Sequence, residues 1–140
     1  MEGKLMACAL ADHAADVAHR HASAIDGPAE AHECWVFASA IATEITDSDV
    51  AAPFLWINAE GALGIMEREG GFARCYAKHM KRLGYARVTA EDASLGAFGI
   101  VRGLKTVAVK VDPDWWLART DTGTAWLPNT SIMGARCASN

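Results

Sequence analysis

FGIVRGLKTVAVKVDPDWWLARTDTGTAWLP, residues 98–128, decides the fold class of this chain. The stretch is rich in Val, Thr, Trp and Gly, and turn-forming residues separate its short apolar runs, which is typical of consecutive β-strands. The predicted strands are FGIV, TVAVKV, WWLART and TAWLP. DPD at residues 112–114 and DTG at residues 121–123 predict hairpin turns between the last three. We therefore expect a small antiparallel sheet in a strand half that covers about residues 85–137.

The part of the chain before this sheet has helical patterns. Helices are predicted over about residues 5–25, 32–45, 58–69 and 72–83, which form a helical half over about residues 5–84. The second has apolar side chains at the spacing of one buried helical face: Cys34, Phe37, Ala38, Ile41, Ala42 and Ile45. Helices packed on an antiparallel sheet indicate an α+β fold, and 140 residues fit a single domain over residues 1–140.

Composition argues against several classes of function. The formal net charge is −4, and the one basic cluster, Lys78, Lys81 and Arg82, comes at a predicted helix C-terminus, where cations complement the helix dipole. We therefore expect no nucleic-acid binding. No apolar run approaches the ~18–20 residues that span a bilayer, so no membrane span is expected.

Histidine and cysteine spacing argues against a metal site. The chain contains no HExxH and no CxxC, and His19 and His21 are two residues apart on a predicted helix, where they point in different directions. The four cysteines are widely spaced, which favours reduced thiols. We expect no metal and no cofactor.

Cys34 is the candidate catalytic residue. It lies in AHECWVF, residues 31–37, at the first turn of the second predicted helix. The helix dipole and the free backbone N–H groups of that turn favour a thiolate, which is the reactive form of cysteine. However, free cysteine is also among the most buried residue types, and Cys34 begins the apolar stripe of the helix. The residues alone leave both interpretations open: a nucleophile, or a small apolar side chain in the core.

The order of these motifs resembles the NlpC-like cysteine peptidases and amidases, and in particular an uncharacterised branch among phage tail-assembly proteins. Glu33-Cys34 at a helix start, Gly70-Gly71, ASLGAF at residues 93–98 and TGTAWLP at residues 122–128 carry the likeness. It runs from about Ala29 to Cys137. The resemblance implies a papain-like fold with Cys34 as nucleophile.

Two departures from the family pattern concern catalysis. The peptidases have a histidine early in the strand after ASLGAF, where it serves as general base. Here that strand is within LKTVAVKV, residues 104–111, which contains no histidine, and Ala97 stands where the family usually has aspartate. Neither helical alternative replaces the base: His32 would face away from Cys34, and His79 lies on the apolar stripe of its helix.

The resemblance therefore predicts a phage or prophage tail protein with a degenerate NlpC-like fold, at the tail tip or in tail assembly. Its expected partners are other tail proteins, with Trp115, Trp116 and Trp126 as possible interface anchors. The expected location is the virion tail, or the host cytoplasm during assembly. The alternatives are an active cysteine hydrolase that cleaves peptidoglycan peptides or trims a tail protein through Cys34, and a bacterial toxin or immunity protein.

Overall fold

Three helices precede the sheet in the described part of the chain. The computed structural model describes residues 2–25, 33–47, 67–68 and 70–138, with the side chains of the first helix from residue 9 onward. The helices are α1 (Glu2–Ser23), α2 (Glu33–Thr46) and α3 (Phe72–Arg82). The predicted helix over 58–69 lies outside the described residues except for Glu67 and Arg68, which are helical. His32 also lies outside them.

The sheet has six antiparallel strands in the order β1-β6-β2-β3-β4-β5. Their bounds are β1 (Tyr85–Arg87), β2 (Phe98–Val101), β3 (Val107–Lys110), β4 (Trp115–Thr120), β5 (Gly123–Pro128) and β6 (Ile132–Ala138). A single 3₁₀ turn, Asn129–Ser131, joins the last two. This architecture confirms the α+β prediction, and the four predicted strands and both hairpins are present.

The helices cover one face of the sheet. α2 packs on β3 and β4, α1 packs on α2, and α3 packs on β1. Because side chains alternate between the faces of a strand, Val107, Val109 and Leu117 point toward the helices and join the buried stripe of α2. This helix-side core is what brings the start of α2 against the start of β3.

A second buried cluster lies on the opposite face of the sheet. It contains Ala108, Trp116 and Ala118 from the middle strands and Ile132 and Ala135 from β6, together with small side chains of residues 90–97. The Lys110 ammonium group is buried here and donates hydrogen bonds to the backbone carbonyl oxygens of Ala90 and Glu91. These hydrogen bonds hold residues 90–97 against this face of the sheet.

Two strands have no counterpart in the sequence prediction. β6 inserts between β1 and β2, so the chain returns across the sheet after the β2-β3-β4-β5 meander. In β6 only Ile132 and Ala135 are buried, and β1 is three residues long with one buried side chain. Neither segment therefore has the regular apolar alternation by which a strand is recognised in a sequence.

Candidate functional site

Cys34 is the second residue of α2, as predicted, and its side chain is buried in the helix-side core. It is 5% exposed, and the neighbouring Trp35 is 1% exposed. The apolar stripe of α2 is therefore buried already at its first residue, Cys34. Cys34 thus has the helix-start position on which the nucleophile interpretation depends and the burial on which the core interpretation depends.

The start of β3 faces the Cys34 thiol. Burial raises the pKa of Cys34, and this effect outweighs the backbone N–H of Val107 and the hydroxyl of Thr106, whose hydrogen bonds with the sulfur lower it. Thr106 and Val107 belong to LKTVAVKV, the segment in which the resemblance places the catalytic histidine. The geometry thus brings a hydroxyl and an amide to the thiol from that segment.

The Thr106 hydroxyl is engaged with a second strand. Its Oγ1 donates a hydrogen bond of 2.9 Å to the carbonyl oxygen of Arg119, in a buried position. A hydroxyl has only one proton to donate, so at any time Thr106 donates either to the Arg119 carbonyl oxygen or to the Cys34 sulfur. The Thr106 oxygen lacks the basicity with which an imidazole removes a thiol proton near neutral pH.

Arg119 borders the Cys34 site, because its side chain approaches Glu33. Arg119 was not predicted as a site residue from the sequence. Its side chain is 3% exposed, and Nη1 donates hydrogen bonds of 2.8 Å to the carbonyl oxygens of Thr120 and Gly123. Nη2 lies 3.8 Å from Oε2 of Glu33, the residue before Cys34. The strand alternation of WWLART places Arg119 on the same face as Leu117, which is the only sequence signal that could have indicated its burial.

The described histidines have contacts with Glu44, Trp126 and Trp35. His13 and His21 contact Glu44 near the end of α2, at 3.0 Å from its carbonyl oxygen and 2.7 Å from its carboxylate. The His19 ring lies against Trp126, and the His79 ring lies 6.2 Å from that of Trp35. Within residues 33–47 and 70–138, the groups that act on the Cys34 thiol therefore include a hydroxyl and backbone amides.

Two further features of the described residues bear on metal ligation and on membrane spans. They contain no group of three or more His, Cys, Asp or Glu side chains placed to hold a metal ion. None of the helices in this part of the chain has both the length and the apolar character needed to cross a bilayer.

The three tryptophans proposed as interface anchors differ in solvent exposure. Trp115 is 46% exposed and Trp126 is 40% exposed, whereas Trp116 is completely buried in the far-side cluster. The expectation that Trp116 is an anchor is therefore wrong. Consecutive strand residues point to opposite faces, and the Trp116 indole N–H donates a 2.8 Å hydrogen bond to Oδ1 of Asn129.

Comparison with protein-family models, with curated proteins and with solved structures gives no match to this chain.

Proposed function

We propose that this chain is a structural or interaction protein of a phage or prophage tail, at the tail tip or in tail assembly, with an NlpC-like fold that has lost peptidase chemistry. Its partners in this role are other tail proteins, and its location is the virion tail or the host cytoplasm during assembly. The tail assignment rests on the resemblance carried by Glu33-Cys34, Gly70-Gly71, ASLGAF and TGTAWLP. The loss of chemistry rests on the surroundings of the thiol.

The observation that carries the loss of catalysis is the pairing of Cys34 with the Thr106 hydroxyl. A cysteine hydrolase needs a base that removes the thiol proton and later returns a proton to the leaving group, a contribution of ~10²–10⁴-fold in rate. A threonine hydroxyl is too weak a base for that role, and Thr106 also donates a hydrogen bond to the Arg119 carbonyl oxygen. In addition, 5% exposure of Cys34 leaves little room for a substrate carbonyl to approach the sulfur.

The surface that supports an interaction role lies at the far end of the β4–β5 hairpin. Trp115 and Trp126 are each more than a third exposed there. Tryptophan is enriched among residues that dominate binding energy in interfaces, because it buries a large area with few rotatable bonds. Exposed indoles on neighbouring strands therefore favour a docking role for this end of the sheet.

Thiol alkylation tests whether the Cys34 site is inactive. Because burial raises the pKa of Cys34, a smaller fraction of it is thiolate at neutral pH than of an ordinary thiol. Iodoacetamide labelling, followed by peptide mass spectrometry, should modify Cys34 more slowly than the same cysteine in urea-unfolded protein. Cys75, which is also buried, and Cys137, which is partly exposed, serve as internal references.

Labelling of Cys34 at pH 6–7 faster than in the unfolded chain would instead support the alternative function, an active cysteine hydrolase. That function would then require Cys34-dependent release of peptides from peptidoglycan or from a tail protein, abolished by Cys34→Ala.

The tail assignment has its own test. Virions purified from the encoding lysogen should contain the chain, or the chain should co-purify with tail intermediates from the induced host. Absence from both, together with flanking genes unrelated to tails, would overturn the assignment and leave the toxin or immunity interpretation.

A further inference from the structure

An open groove lies between α1 and the β4–β5 hairpin, on the same face of the sheet as the helices. Its volume is about 310 Å³, and its lining, here called the aromatic groove, consists of Ala15, His19, Val111, Asp112, Trp115 and Trp126. The rings of His19 and Trp126 are 5.0 Å apart, centre to centre, and inclined by 36°. One imidazole and two indoles therefore surround a space suited to one side chain or a small ligand.

Strand register explains why the two indoles share the groove. Trp115 is paired with Pro128, and Trp126 is paired with Leu117. Directly paired residues point to the same face, so Trp115 and Trp126 are diagonal neighbours on that face, about 7–8 Å apart. Both indoles therefore line the groove from the same face of the sheet, where a flat group can contact them.

The charge of the groove and its surroundings is negative. None of the six lining residues is Lys or Arg, and the Asp112 carboxylate is held in place because its Oδ1 accepts a 3.0 Å hydrogen bond from the backbone N–H of Asp114. Asp12 and Asp16 share the α1 face of Ala15 and His19 at helical spacing. Arg20, the nearest Lys or Arg along α1, lies 3.7 Å from Asp16 and 2.9 Å from Glu44, so two carboxylates offset its single charge.

We propose that the aromatic groove binds an arginine side chain of a partner protein. The guanidinium group is planar, stacks on indole faces and pairs with carboxylate oxygens, so it matches both the aromatic walls and Asp112. This inference deepens the proposed function, on which it rests for the role of this surface in docking. It adds the chemistry by which the partner is recognised.

Carbohydrate is the other ligand class that commonly stacks on exposed tryptophan. A sugar ring, however, has several hydroxyl groups that need hydrogen-bond partners, and the described lining offers as polar side-chain groups only Asp112, His19 and the two indole N–H donors. One Asp112 oxygen is already engaged by the Asp114 amide. The arginine ligand leaves fewer polar groups without partners, so it is favoured.

The test uses Nα-acetyl-arginine amide and its neutral isostere Nα-acetyl-citrulline amide, titrated into the full chain. Indole N–H resonances are followed by two-dimensional NMR, and Trp115→Phe and Trp126→Phe identify the two exposed rings. We expect the arginine derivative to shift these two resonances and to bind about tenfold more tightly than citrulline. N-acetylglucosamine is titrated in parallel.

Matched aspartate variants locate the charge effect. Asp112→Asn keeps the oxygen that accepts the Asp114 amide bond and removes only the charge, and it should weaken arginine binding about fivefold or more. Asp121→Asn, in the exposed two-residue turn at the opposite end of the hairpin, should leave binding unchanged.

Equal binding of arginine and citrulline, equal loss in the two aspartate variants, or shifts caused by the sugar and not by arginine would each overturn the inference. These outcomes are independent of the proposed function. A reactive Cys34 would refute the inactive-site proposal and leave arginine binding intact. A groove that does not bind the arginine derivative would leave the slow labelling of Cys34 unchanged.

Discussion

Replacement of Arg119 by methionine should destabilise the fold by about 2–3 kcal/mol. Its guanidinium donates hydrogen bonds to the Thr120 and Gly123 carbonyl oxygens, and a hydrogen bond from a charged donor contributes ~1.5–3 kcal/mol. The expected loss is below the sum of two such bonds, because both carbonyl groups lie at the partly exposed hairpin turn, where water can replace the donor. The 3.8 Å contact with the partly exposed Glu33 adds little.

Urea unfolding followed by tryptophan fluorescence measures this loss, and Tm should fall by about 6–10 °C. Arg119→Lys retains the charge, but its shorter side chain does not hold a donor at the position of Nη1, so it should lie between wild type and Arg119→Met. The control is Arg102→Met, which removes an exposed arginine with a single 3.1 Å bond from Nε to the Thr130 carbonyl oxygen and should change stability by at most ~0.5 kcal/mol. Equal losses at the two arginines would refute the reasoning that burial makes Arg119 important.

Three further predictions concern other parts of the fold. Gly99→Ala places a Cβ 2.4 Å from Cγ2 of Ile132, so overpacking should cost about 1–3 kcal/mol in urea unfolding. Lys110→Met leaves two backbone carbonyl groups without their donor and should cost about 2–4 kcal/mol; a melting temperature equal to wild type would contradict this. Glu44→Gln should lower Tm above about pH 4.5, because the hydrogen bond from Arg20 lowers the pKa of Glu44. That difference should disappear as the pH falls through the folded-state pKa, and a pH-independent difference would show that charge is not its source.

The sequence predicts those parts of the fold that have a regular apolar pattern. α2 and strands β2, β3 and β4 have buried runs of sufficient length, and the turn residues between β3, β4 and β5 mark the ends of these strands. β5 has no buried residue, and its prediction depends on the turn residues before it. β6 fails this criterion although it lies inside the sheet, because most of its side chains face solvent or are only partly covered. Its position depends on pairing with β1 and β2, which are distant in sequence.

In the candidate site, too, some features could be predicted from the sequence and others could not. The helix-start position of Cys34 follows from local sequence, whereas the burial of Arg119 and the difference between Trp115 and Trp116 depend on which edge of the sheet the helices cover. Alternation along β4 assigns its side chains to the two faces of the sheet, but it does not show how far α1 covers the helix-side face. Tertiary packing decides that, so hydropathy alone could not rank these residues.

The balance of effects at Cys34 shows why a helix start does not by itself make a reactive thiol. The helix dipole contributes typically 0.3–1 kcal/mol, which corresponds to less than one pKa unit. Burial can shift a pKa by several units, and here it acts against the thiolate and prevails over the hydrogen bonds from Val107 and Thr106. Acidification of this thiol would therefore need either a cationic imidazole or solvent access. Thr106, which lies at this thiol, is a weakly basic hydroxyl that also donates a hydrogen bond to the Arg119 carbonyl oxygen, so the helix start alone does not lower the pKa of Cys34.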